Sequence, residues 1–96
     1  MNSYEAMFIL RSNLNKDQMQ ELFDQINETF AKNKASVANS GIWAEKKKLY
    51  FPIKKCQEGT YYLVNFTSDA QAISKINRDY GLNDNILRVL ITRANN

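Results

Sequence analysis

The chain has 96 residues, 44% hydrophobic and 24% charged, with three Gly, one Pro, one Cys, no His and a net charge of +3. That length holds one domain, over residues 1–96, and no apolar run nears the roughly 20 residues of a membrane helix. A single Cys excludes an internal disulfide, its isolation without His excludes almost every zinc or haem site, and the missing His removes the usual general base.

Tyr4–Leu10 reads as a strand with Tyr4, Ala6, Phe8 and Leu10 on one face and Glu5, Met7 and Ile9 on the other. Both faces are largely apolar, which predicts a central strand. A helix follows. Asn15 is a suitable N-cap, Gln18 completes a variant capping box, and Leu14 can pack on Met19 as a hydrophobic staple. Met19, Leu22, Phe23, Ile26 and Phe30 form its core stripe.

Ser36–Ile53 reads as a long extended segment with a possible break at Gly41. Pro52 assigns it to a sheet edge. Cys56–Gly59 is the expected turn, with Gly59 supplying a positive backbone angle, and Thr60–Phe66 returns as the hairpin partner. Tyr62, Val64 and Phe66 share one face there; Tyr61, Leu63 and Asn65 share the other. Ser68 and Gln71 suggest a capping box for a second helix, with Ala72, Ile73, Ile76 and Tyr80 buried. Gly81 is expected as a left-handed C-cap, with Leu82 closing it. Ile86–Arg93 is the last strand, Leu87, Val89 and Ile91 facing one way and Arg88, Leu90 and Thr92 the other.

The order strand, helix, strand, strand, helix, strand predicts an α+β fold of the ferredoxin-like βαββαβ type. It has a four-stranded antiparallel sheet with two helices on one face. The first and third strands should be central. The uncovered face, with aromatics such as Tyr50, Phe51 and Tyr61 or Tyr62, would leave an interaction surface.

Two known chemistries of such folds fit poorly. An RNA-recognition motif needs a basic residue, Gly, an aromatic, a small residue and an aromatic in its third strand. Glu58-Gly59-Thr60-Tyr61-Tyr62 departs at three of those places. An acylphosphatase needs an amide-lined anion cradle beside an Arg. Arg11-Ser12-Asn13-Leu14 offers the Arg without a glycine loop, so Arg11 is expected to be structural. Cys56 next to Lys55 has no His partner and is taken as incidental.

The charge distribution says more. Residues 1–43 carry net −1, residues 44–60 net +3 and residues 61–96 net +1. The excess sits on Lys46, Lys47, Lys48, Lys54 and Lys55. Such a cluster can neutralise a phosphate backbone, or it can be an edge strand using Lys against aggregation. Consecutive Lys46, Lys47 and Lys48 would point to alternating faces, and Arg88 and Arg93 on the last strand add the planar fork that suits phosphate. Contacts of this kind favour structured RNA read by shape.

Over nearly its whole length the chain resembles the bacterial small-subunit ribosomal protein six family. The resemblance rests on Tyr4-Glu5 with the apolar run Met7–Leu10, and on Lys46-Lys47-Lys48-Leu49-Tyr50-Phe51-Pro52-Ile53-Lys54-Lys55 followed by Glu58-Gly59-Thr60-Tyr61-Tyr62. Its last anchor is Leu82-Asn83-Asp84-Asn85-Ile86-Leu87-Arg88. It implies a non-enzymatic constituent of the small ribosomal subunit in the cytoplasm, without cofactor, metal, membrane or small-molecule substrate. Such a protein binds the central domain of small-subunit ribosomal RNA together with small-subunit ribosomal protein eighteen. Carried over residue by residue, the RNA contacts fall on Lys47, Lys48, Arg88 and Arg93, with Lys46 and Lys54 beside them. Trp43, Tyr50 and Phe51 are the expected protein-partner surface. The family usually has Ala-Tyr where this chain has Tyr50-Phe51. Its Trp-Gly falls on Ala44-Glu45, leaving Trp43 one residue early, which suggests a bulge or a changed register. Two other readings stand beside this one: a small regulatory or oligomerising domain, and an acylphosphatase-like hydrolase acting through Arg11.

Overall fold

A computed structural model describes residues 1–94. The chain runs β1 (Asn2–Leu10), α1 (Lys16–Lys32), β2 (Ser36–Ile53), β3 (Cys56–Ser68), a 3₁₀ turn (Ala70–Ala72), α2 (Ile73–Gly81) and β4 (Ile86–Arg93). The strands pair antiparallel in the order β2-β3-β1-β4. β1 and β3 are central and the fold is ferredoxin-like α+β, as the element order predicts.

Strict alternation in the central strands decides which face is buried. Tyr4, Ala6, Phe8 and Leu10 of β1 and Tyr62, Val64 and Phe66 of β3 meet Leu22, Ile26 and Phe30 of α1 and Ile76 and Tyr80 of α2 in one core. Phe8 is fully buried, with the Tyr80 ring edge-on at 4.9 Å and the Phe30 ring at 6.3 Å. The buried Tyr80 hydroxyl donates to the Ile26 carbonyl at 2.7 Å, so this polar atom enters the core with a partner. Burial pushes the Tyr80 phenol well above the ordinary tyrosine range, and the nearby Tyr62 and Asp79 push it further the same way.

The ends of α1 follow from local chemistry. The Asn15 side chain accepts the Gln18 N–H at 2.8 Å, and the Gln18 side chain accepts the Asn15 N–H at 3.0 Å, which is the expected capping box. At the other end Lys34 turns left-handed at φ 61, its N–H donates to Ala31, and the Ala35 N–H reaches back to Phe30. This is a Schellman closure with Lys where Gly is usual.

The start and end of α2 differ from expectation. Ser68 is fully buried as the last residue of β3, in register with Asn2, and its hydroxyl donates to the Asp69 carbonyl. Held in the sheet, it cannot cap, and a 3₁₀ turn precedes the helix without a side-chain cap. Gly81 lies inside α2, and no glycine of the described chain has positive φ. The helix instead unwinds through bonds from Leu82 to Asp79 and from Asn83 to Tyr80, which need no left-handed residue. Leu82 is left 80% exposed rather than closing the end.

The hairpin between β2 and β3 is tighter than the sequence suggests. Ile53 pairs with Cys56, so the loop is Lys54-Lys55, at φ 49 and 65. A two-residue loop with both φ positive has the twist that matches paired strands, and normally takes Asn-Gly. A side chain in that region carries a penalty of about 1–2 kcal/mol per residue. Gly59 is therefore not the turn residue. It lies within β3, where an added Cβ would stand 2.5 Å from Ile9 Cγ2 and 3.4 Å from the Leu10 carbonyl oxygen. Its role is close approach, not backbone freedom.

β2 is irregular, though not at Gly41, which pairs with Leu63. Its register with β3 shifts between Val37 and Asn39, Ile42 and Ala44, Ala44 and Lys47, and Lys48 and Ile53. Trp43 is the extra residue of the second shift, which answers its one-residue offset as a bulge. Lys46, at φ 47, belongs to the third. A fourth-strand bulge between Leu10↔Ile86 and Ile9↔Arg88 makes Leu87 the extra residue, so Ile86 takes its place in the core.

Candidate nucleic-acid interface

The helices leave the second sheet face uncovered. Alternation puts Met7 and Ile9 of β1, Tyr61 and Leu63 of β3, and Arg88 and Leu90 of β4 there. Leu90 is 54% exposed, and Trp43 on β2 is 59% exposed. The register aligns Arg88 with Ile9, and Ile9 with Tyr61. Trp43 extends this row, its ring centre 5.7 Å from that of Tyr61. Lys47 stands over both rings, with Nζ at 4.9 Å from Trp43 and 5.5 Å from Tyr61. An apolar row thus crosses the sheet with a cation at each end, Lys47 on the β2 side and Arg88 on the β4 side.

Beyond the end of β1 the β2–β3 hairpin projects as an arm. Ile9 and Leu49 close over Gly59 at its root, and Leu49 is buried. Tyr50 and Phe51 are 92% and 72% exposed, their rings edge-to-face at 4.8 Å. Two large aromatic rings exposed to water form an apolar patch on the arm.

The expected cations are distributed unevenly. Alternation holds at Lys46–Lys48 although the bulge turns Lys46 left-handed. Lys46 borders a cleft with Phe23, Ile42 and Thr60; Lys47 covers the open face; Lys48 stands opposite Glu58. The Lys54 ammonium donates to the Ile86 carbonyl at 3.3 Å, tying the arm to the start of β4. Arg93 is not gathered with the others. It pairs with Tyr4 at the far end of the sheet and donates to the Asn2 side chain at 3.0 Å. From the register of Lys47, opposite Gly59, to that of Arg93, opposite Tyr4 and Phe66, the sheet runs seven residues, roughly 23 Å at about 3.3 Å each.

Among the described residues the only ion pairs are those of Lys32 and Lys75 with Asp79, at 3.9 and 3.4 Å. Lys46, Lys48 and Arg88 form none, and Lys47 has only its aromatic contacts. Tyr61, Leu63 and Leu90 complete the open face, where the alternation of β3 and β4 places them. The tight loop at Lys54-Lys55 is hidden in the sequence because neither residue is a usual turn former.

Arg11 takes the structural role expected of it. Its Nε donates to the Asp84 carbonyl at 2.9 Å, an Nη donates to Cys56 Sγ at 3.0 Å, and its backbone N–H donates to the Asn85 carbonyl. A guanidinium committed to a carbonyl and a thiol leaves no cradle for an acyl phosphate, and Cys56 is its acceptor rather than an independent nucleophile.

A four-stranded antiparallel sheet in the order β2-β3-β1-β4 with two helices defines a ferredoxin-like α+β domain. Residues 3–93 match the model of the ribosomal protein S6 family, and the chain belongs to that family. It is 37% identical over 90 residues to small ribosomal subunit protein bS6 of Synechocystis, covering 94% of this chain and 79% of that one. The bS6 protein of Caldanaerobacter subterraneus is 34% identical over 94 residues, covering 98% of each. The crystal structure of 30S ribosomal protein S6 from Thermotoga maritima superposes with a TM-score of 0.86 at 23% identity, over 97% of this chain and 87% of that one, and so supports the fold. Family membership makes the chain a non-enzymatic small-subunit ribosomal protein, located at the ribosome in the cytoplasm.

Proposed function

We propose that the chain, as a single domain, binds the central domain of small-subunit ribosomal RNA together with small-subunit ribosomal protein eighteen. The observation that carries this reading is the unpaired state of Lys46, Lys48 and Arg88, with Lys47 held only over rings. Cations without carboxylate partners are free to displace counterions from a phosphate backbone. Lys54 adds its charge from the tip of the arm, and Arg93 is an outlying contact beyond the far end of the open face. Trp43, Tyr50 and Phe51 supply apolar area for the protein partner, where aromatic anchors carry most of an interface's energy.

The test is the affinity of the purified chain for a central-domain RNA fragment, with and without protein eighteen. Tighter binding with the partner present is expected. Affinity unaffected by the partner removes the joint-binding reading, and affinity unaffected by salt removes the phosphate contacts.

A further inference from the structure

Every left-handed residue of the described chain is a lysine: Lys34, Lys46, Lys54 and Lys55, at φ 61, 47, 49 and 65. The three glycines, which would occupy that region without strain, all lie elsewhere. Lys34 is explained by the Schellman closure of α1, and Lys46 by its bulge. The hairpin loop is different. Asn-Gly would close Ile53 onto Cys56 without steric conflict, yet the chain places two ammoniums there. Backbone strain of this kind persists where a side chain is used. Lys54 spends its ammonium on the Ile86 carbonyl. Lys55 has no hydrogen bond or ion pair among the described residues.

Lys55 borders an open recess of about 470 Å³ between the tip of the arm and the segment after β1. Ser12, Asn13, Lys48 and Glu58 share that recess. It therefore offers two ammoniums, a hydroxyl and the amides of Asn13 and Gln57 against one carboxylate, that of Glu58, which stands in register with Lys48. An anion with several acceptor oxygens suits that set. The oxygens of a nucleic-acid phosphate, with a full negative charge and several acceptors, match that set better than a single carboxylate.

The geometry points to a seat for one RNA backbone phosphate in this recess, with Lys55 its principal ligand and the left-handed loop retained to present it. This rests on the RNA-binding reading above. The protein is compared with its Lys55→Gly, Lys55→Arg and Lys47→Ala/Lys48→Ala variants on a central-domain RNA fragment. Glycine fits φ 65, so Lys55→Gly is expected to melt at an equal or higher temperature while binding RNA more weakly. The loss expected is up to about tenfold at low salt, with the salt slope of log affinity shallower by about 0.7–0.9, one phosphate's worth. Lys55→Arg is expected to bind as the unaltered chain does. If Lys55→Gly binds like the unaltered chain while the Lys47/Lys48 variant weakens, the seat is wrong and the RNA-binding reading survives. If Lys55→Gly melts lower, or weakens binding without changing the slope, the loop and not its charge matters, and the seat is again wrong. If the unaltered chain binds no RNA, both fall together.

Discussion

The ammonium of Lys47 lies 4.9 Å above the centre of the Trp43 ring. Trp43 is the bulged residue of β2, and its displacement lets a side chain four positions later reach back across it. A cation over an exposed indole is held by about 0.5–1 kcal/mol, too little to resist a phosphate that offers full charge. The contact presets the direction of Lys47 without consuming it.

Replacing Lys47 and Lys48 with Ala is expected to weaken RNA binding and leave the fold intact, because both are exposed. If about five phosphates are neutralised by the unaltered chain, log affinity should fall against log salt with a slope of roughly −3.5 to −4.5, and the double variant should lose about two contacts from it. Filter binding or fluorescence anisotropy at several salt concentrations measures both slopes; equal slopes would remove these lysines from the interface.

Gly59→Ala is expected to destabilise the protein although its φ is ordinary. The added methyl meets Ile9 Cγ2 at 2.5 Å, with the Leu10 carbonyl oxygen and Leu49 Cδ2 both at 3.4 Å. Overpacking of this kind costs about 1–3 kcal/mol. Urea denaturation reads the change directly, and an unaltered midpoint would show that Ile9 moves aside freely.

Tyr80→Phe tests the buried hydroxyl. Losing the bond to the Ile26 carbonyl at 2.7 Å should destabilise by about 1–2 kcal/mol at neutral pH. The folded phenol has its pKa raised, so its contribution is complete below the ordinary value of 10.0 and is lost as pH rises above it, when the unfolded chain alone ionises. The unaltered protein should therefore lose stability above about pH 10 more steeply than the variant. Parallel alkaline curves from thermal melts would contradict the assignment.

Asp79 links the helices. The Asn33 amide donates to it at 3.2 Å and the Lys75 ammonium at 3.4 Å, with Lys32 at 3.9 Å. The hydrogen bond from Asn33 holds its carboxyl below the ordinary carboxylate range; desolvation opposes it, and the bond and charge of Lys75 and the charge of Lys32 act with Asn33. A lowered folded pKa gives stability that is present above the ordinary value of 3.8 and is lost as pH falls through the folded one. The stability difference between the protein and Asp79→Asn should accordingly be constant near neutrality and shrink in acid. A difference that persists at pH 2 would mean that shape, not charge, holds the site.

The fold was legible where periodicity is strong. The alternation of Tyr4–Leu10 and Tyr61–Phe66 gave the central strands and the core face, and Asn15 with Gln18 gave the start of α1. The departures share a cause: a residue's usual habit gives way where its neighbours decide. Ser68 looks like a cap and is held by the sheet; Gly81 looks like a stop and lies within a helix that unwinds without it; Gly59 looks like a turn and makes room for Ile9. The cluster of lysines was visible as charge, but its arrangement was not. The bulges that set the register of β2, and the distance along the sheet that separates Arg93 from Lys47, are not carried by spacing in sequence.

Arg11 joins three places far apart in the chain, reaching Cys56 and Asp84 across separations of 45 and 73 residues. Closing such long loops is entropically costly, and the pairing of β1 with β4, Ile9 with Arg88, spans a comparable separation. Because its partners are brought within reach by the paired strands, the guanidinium is expected to close as a latch after them. Its removal should leave the refolding rate nearly untouched and show in stopped-flow measurements as faster unfolding.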